Sequence, residues 1–160
     1  TTGTQPQRRK LSFATLDEVV AEAENLLARG YDRAGNWDLA QVCSHLADWM
    51  RFPIEGFPVF PLVFRPALWL MRVTMGKALF RQYLAEGMPP GKPTLRLTVA
   101  KSGGDPAAAV AKLKQAAERF AAHAGPIRPS PVFGPMNKDD AMRLQLRHCE
   151  HHLSFLIPTT

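Results

Sequence analysis

Apolar residues recur at helical spacing in five stretches of this chain, separated by segments dense in proline and glycine. In the first stretch, Leu16, Val19, Val20, Ala23, Leu26 and Leu27 share one stripe. Thr15, with Glu18 three residues on, has the form of a capping box, and Gly30 supplies the stop. A second helix is predicted from Asn36 as its N-cap, with Asp38 in the first turn, to about Arg51, ending before Pro53. One of its stripes carries Asp38, Gln41, Val42, His45, Trp49 and Phe52, and another carries Leu39, Leu46 and Met50. A helix apolar on both sides of its histidine is expected to be buried along most of its girth.

The third stretch runs from about Pro66 to Gly87, and its Met and aromatic positions, with Trp69, Leu70, Val73 and Met75 among its apolar residues, are expected in the core. A fourth helix is predicted over 106–123, with Asp105 as N-cap and His123 at the end where the helix dipole favours a cation. The fifth follows Asn137 and stops before Pro158, turning Ala141, Leu144, His148, His152 and Phe155 inward. Between helices, 53–66 reads as an apolar cap over one end of a bundle, and 95–100 as a short extended piece. No second strand pattern accompanies it, so no sheet is expected. The pattern predicts an all-α helical bundle in one domain, 11–160, behind a flexible segment, 1–10, with an extra short helix or extended segments in the long loops.

Composition changes this picture little. A chain of 160 residues suits one domain with a sizeable core. The net charge of +6 and pI near 9.7 call for an anionic partner to be considered. From Arg51 to Gly104 eight Lys and Arg face two acids, Glu55 and Glu86. A solvated basic face is the plain reading, and attraction of an anionic small-molecule substrate is the sharper one. Nucleic acid is not expected, because no basic run interleaves with aromatics. No membrane partner is expected either, because no apolar run is long enough to span a bilayer. Arg8-Arg9 resembles a twin-arginine signal, yet no apolar region follows. A cytoplasmic location is therefore expected, with an exported form whose upstream signal was removed as the alternative. Bundles with exposed apolar faces often dimerise, so a homodimer is a further expectation.

The candidate chemistry lies in Leu144–Leu156, LQLRHCEHHLSFL. His148 and His152 are four apart, which on a helix places them on one face with Cβ atoms about 5–6 Å apart. Two imidazoles at that spacing can close on one metal ion, and three of the chain's five histidines fall within these five residues. His45, on the second helix, is the strongest candidate for a third ligand. Cys43 and Cys149 point away from their neighbouring histidines and are expected as small buried packing residues. Gln41, one turn before His45, is a candidate for orienting a bound ligand. His151 is a candidate proton carrier or an outer donor to the site, and Asp38, Asp48 and Glu150 are weaker outer candidates. Three neutral imidazoles suit Zn, Ni, Fe or Mn and leave a position open for water or substrate.

GNWDLAQVCSHLADW, MPPGKP, PVFGPMNKDD and RLQLRHCEHHLSFL together resemble the DinB-like superfamily, in its branch of bacterial domains of unknown function. The resemblance runs from Arg9 to Pro158, and its most specific parts are AQ-x3-HL and the HCEHHLSFL ending. It implies a four-helix bundle of up-down-down-up topology and a divalent metal on three histidines, matching His45, His148 and His152. Relatives with known activity are metal-dependent thiol S-transferases and isomerases using bacillithiol, mycothiol or glutathione. The resemblance thus implies a metal-binding protein, with transfer of a low-molecular-weight thiol to a small electrophile as the leading expectation. A metal-dependent hydrolase, or a non-catalytic protein holding metal or a small ligand, is the alternative.

Overall fold

In the computed structural model, which describes residues 7–160 apart from Pro93 and Leu95, the five helices are α1 (Leu16–Arg29), α2 (Leu39–Glu55), α3 (Arg65–Glu86), α4 (Pro106–Ala122) and α5 (Lys138–Leu153). Four begin on a side chain that accepts from an otherwise unpaired N–H. Thr15 takes Glu18 N at 3.3 Å, and Asn137 takes Asp140 N at 2.8 Å. Asp105 takes Ala107 N and Ala108 N, with Pro106 at the first helical position. The cap of α2 is Asp38 rather than Asn36. Asp38 Oδ1 accepts from Gln41 N at 2.8 Å while Gln41 Oε1 accepts from Asp38 N at 3.0 Å, a complete capping box.

Helix α2 also continues past the proline expected to end it, and Pro53 lies inside it. Proline has no N–H, so the Trp49 carbonyl four residues back loses its helical donor. Gln145 of α5 supplies the replacement, its Nε2 donating to Trp49 O at 2.9 Å. Gly56, at φ 120°, then stops the helix.

The core draws on α1, α2, α4, α5 and Leu156, and its largest fully buried side chains include Phe120, Leu46, Met50, Leu113 and Leu153. Each such side chain contributes about 1.5–3 kcal/mol relative to exposure. Cys43 and Cys149 are free thiols buried in this core, and burial pushes the Cys43 thiol up to about 12. Helix α3 departs from expectation. It adds nothing to the core, its one buried residue is Gly76, and Trp69, Leu70, Val73 and Met75 are exposed. The reason is that its apolar residues go round the whole helix, so one side lines a cavity and the other meets solvent. Gly76 lets the 130–134 turn press against the helix: a Cβ there would sit 2.9 Å from Val132 O.

The stretch over 95–100 expected to be extended holds instead the 3₁₀ turn Arg96–Thr98, whose single turn needs no strand partner, and a second 3₁₀ turn, Leu62–Phe64, lies in the apolar loop before α3. One two-stranded ribbon adds to the helices. Strands β1 (Tyr31–Arg33) and β2 (Leu156–Pro158) pair antiparallel, tying the chain after α5 to the turn after α1. Of the expected flexible segment 1–10, residues 1–6 lie outside the described residues. Arg8 Nε donates to Ser154 Oγ at 2.6 Å, and Arg9 pairs with Glu22 at 2.6 Å.

Candidate metal centre

His45 reaches the site from α2, with 1% of its surface exposed, and His148 and His152 reach it from α5. The i, i+4 spacing on α5 does what helical geometry requires: His148 Nε2 lies 3.1 Å from His152 Nε2. It also lies 3.1 Å from His45 Nε2, across 103 residues of sequence. One ligand atom from each of the three falls within 4.8 Å of the others, so the group could hold a metal ion. Two nitrogens bonded to one ion at about 2.0–2.1 Å, at roughly tetrahedral or right angles, are about 2.9–3.4 Å apart. Both 3.1 Å separations fall in that range.

Hydrogen bonding alone does not account for this convergence. A neutral His148 Nε2 carries either one hydrogen or one in-plane lone pair. Either serves one neighbour well, and a second neighbour at the same distance can only share that hydrogen or lone pair in a weaker, bifurcated contact. A cation between the three nitrogens instead takes one lone pair from each. Charge points the same way. Burial pushes His45 down to about 4 and holds His148 and His152 well below the ordinary imidazole value. All three are therefore neutral at pH 7, the form that ligates metal.

The surroundings fix ring orientation. His45 Nδ1 lies 3.2 Å from Thr98 O and 3.0 Å from Thr98 Oγ1. Donation from Nδ1–H to the carbonyl leaves the Nε2 lone pair pointing at the site, the usual outer support of a ligating histidine. Trp37 stacks flat on His152, with ring centroids 5.0 Å apart and planes 1° from parallel. Neither Thr98 nor Trp37 stands out in the sequence as part of a site. Thr98 lies in the stretch read as extended, and Trp37 just ahead of the Asp38 cap.

Two cavities meet at the cluster. The larger, about 450 Å³, is walled by His45, His148 and His152, by Trp49, and by apolar side chains such as Leu68, Leu79, Phe57 and Phe133. That volume is typical of a small-molecule site. The smaller, about 260 Å³, opens on the far side of His152 between Asn36, Trp37, Lys92 and Phe155. Lys92, Thr94, His151 and His152 line both. Among the described residues no carboxylate lines either cavity.

The remaining candidates divide. His151 belongs to the site's wall. Its Nδ1 donates to Met88 O at 3.0 Å, and burial, then the charge of Arg8, lowers its affinity for a proton. Gln41 does not reach either cavity: its Oε1 completes the α2 cap and its Nε2 donates to Ala100 O at 3.0 Å. Asp38 caps α2 and accepts from Gly103 N, while Asp48 pairs with Arg51 and Lys112. Glu150 holds Phe13 N and Arg147. These acids are structural.

A family model described as "Protein of unknown function (DUF1569)" matches residues 5–159. The chain belongs to the DUF1569 family. No curated protein and no solved structure matches it. The family description assigns no activity, so the DUF1569 chain has to be read from its own site.

Proposed function

We propose that this protein is a metal-dependent transferase of the DinB-like superfamily, in which His45, His148 and His152 hold a divalent ion. The reaction is transfer of a low-molecular-weight thiol to a small electrophile, whose leaving group the thiol sulfur displaces. The observation that carries the reading is the convergence of three neutral imidazoles on the wall of an apolar cavity that no carboxylate among the described residues lines. Three protein nitrogens leave the ion a free coordination position, and the cavity gives that position access. A closed structural site would have neither. The resemblance of AQ-x3-HL and HCEHHLSFL to DinB-like proteins supports the same assignment.

A divalent ion held here supplies a Lewis acid that keeps a thiol as its reactive thiolate. The chain's own residues supply the rest. The apolar cavity takes the electrophile and excludes water, and the smaller pocket with Lys92 takes the polar body of the thiol. With no carboxylate among the described residues lining either cavity and Lys92 lining both, the site favours a carboxylate-bearing thiol. In the bond-forming step sulfur makes the new C–S bond and the leaving group departs with its electron pair. The thiol proton passes to His151 Nε2 or to solvent.

The test starts with metal analysis of protein purified without a histidine tag. Thiol consumption is then followed against a panel of electrophiles, with the His45→Ala protein as control. Metal-dependent thiol consumption absent from the control supports the reading. Equal rates in both, with metal bound only to the first, overturn it. Metal-dependent ester or amide hydrolysis without thiol assigns the site to hydrolysis instead.

A further inference from the structure

The outer side of α3 is apolar at one end and basic at the other. Trp69, Val73, Lys77 and Arg81 are each four residues apart and so form a single ridge along the helix. At its N-terminal end the ridge joins the turn Leu62–Phe64, and this end is open to solvent: Val63 is 78% exposed and Trp69 62%. At its C-terminal end Lys77 and Arg81 are exposed, and neither is in an ion pair among the described residues. From Gly56 to Ala85 the chain has four cations, Arg65, Arg72, Lys77 and Arg81, and no acid.

We propose that this face docks on an anionic lipid surface, with Leu62–Phe64 and Trp69 entering the headgroup–acyl boundary and Lys77 and Arg81 lying at the phosphates. Two observations favour a membrane over another protein surface. Exposed tryptophan and phenylalanine at one end with Lys and Arg flanking them make the side-chain set that anchors a protein at a membrane interface. Charge settles the choice between lipid and a second copy of this chain. Self-association through this ridge supplies no carboxylate to neutralise Lys77 and Arg81, whereas an anionic bilayer neutralises both. The absence of a helix long and apolar enough to cross a membrane bears on spanning, not on surface docking.

The experiment is co-sedimentation of the full chain with phosphatidylcholine vesicles and with mixed phosphatidylcholine–phosphatidylglycerol vesicles, at low and high salt. The chain is expected to bind the mixed vesicles alone, and salt to weaken that binding. Trp69→Asp, at an exposed position, removes it while the far-ultraviolet circular dichroism is unchanged. The pair Lys77→Gln and Arg81→Gln weakens it roughly 25-fold, about fivefold per cation. No binding to the mixed vesicles, or equal binding of the doubly neutralised variant, overturns the proposal. So does a concentration-dependent dimer in sedimentation velocity that Trp69→Asp dissolves, which assigns the face to a second copy. Metal content plays no part in any readout, so the proposal stands or falls apart from the transferase reading.

Discussion

The half of the molecule built on α1, α2 and α4 and the half built on α3 treat apolar residues in opposite ways. In the first, Leu26, Leu46, Leu113 and Phe120 are wholly buried against one another. In the second, residues of the same type either line a cavity, as Leu68 and Leu79 do, or face solvent, as Trp69 and Val73 do. The difference separates stability from ligand space, since a side chain facing a cavity contributes less burial than one in a close-packed core. Helix α5 belongs to both halves. Its Cys149 and Leu153 join the core, while His148 and His152 face the cavity. Its Arg147 and His151 bond the carbonyls of Leu84 and Met88 at the end of α3, holding the looser half in place.

If the site lies on the seam and outside the core, it can be removed without unfolding the protein. His148→Ala is expected to abolish stoichiometric metal binding altogether, with the metal-free melting temperature within a few degrees of wild type. Metal analysis and a thermal melt read the two effects separately. Retention of one ion per chain would show that the ligands are other residues.

Next in size is the contrast between the halves themselves. Phe120→Ala removes a wholly buried ring and should cost about 3–5 kcal/mol. Leu79→Ala, at a half-buried cavity wall, should cost about 1 kcal/mol, since the space it leaves joins one already present. Urea unfolding of both variants measures the difference. Equal losses would erase the distinction between a stabilising half and an open one.

How far the sequence reveals this arrangement also differs between the halves. Helices α1 and α4 are legible because each carries one apolar stripe behind a capping side chain, and α2, apolar on both sides of His45, reads as buried though its cap lies two residues later than expected. The ligand pair on α5 is legible for the same reason, since i, i+4 spacing fixes its geometry locally. Helix α3 is readable as a helix but not as a cavity wall. Apolar residues around its whole girth carry no direction, and only the tertiary structure decides which of them meet protein. The passage of α2 through Pro53 is likewise hidden, because the compensating donor is Gln145, 92 residues later. Thr98 is hidden in the same way: its role depends on the 3₁₀ turn Arg96–Thr98 coming to rest beside His45.

Acid sensitivity sharpens the comparison at the seam. Burial lowers His45 to about 4 in the folded protein, against about 6.5 for a free imidazole. Between those values the unfolded chain takes up a proton that the folded protein refuses. Stability of the metal-free protein is therefore full above about pH 6.5 and falls as the pH drops towards 4. From His45 alone the loss is on the order of 2–3 kcal/mol, and His148 and His152 act in the same direction. Urea unfolding at about pH 7 and about pH 4.5 measures it, with His45→Ala showing a smaller drop. A flat profile would mean that the imidazoles are open to water and that the cluster is not buried on the seam.

The smallest effect concerns Thr98, which reaches the site through His45. Thr98→Val keeps size and branching and removes the hydroxyl 3.0 Å from His45 Nδ1. The carbonyl of the same residue, 3.2 Å away, remains to accept from Nδ1–H and still favours the tautomer with a free Nε2. Loss of an outer partner commonly costs 10–100-fold in metal affinity. Because one of two partners survives here, the expected loss is near the lower end, about tenfold or about 1.4 kcal/mol. Zinc competition against a chromogenic chelator measures it. Stoichiometry should stay at one ion per chain, which separates an orienting role from a ligating one. Unchanged zinc affinity would assign the orientation of His45 to the backbone carbonyl alone, and a loss of stoichiometry would make Thr98 part of the ligand set.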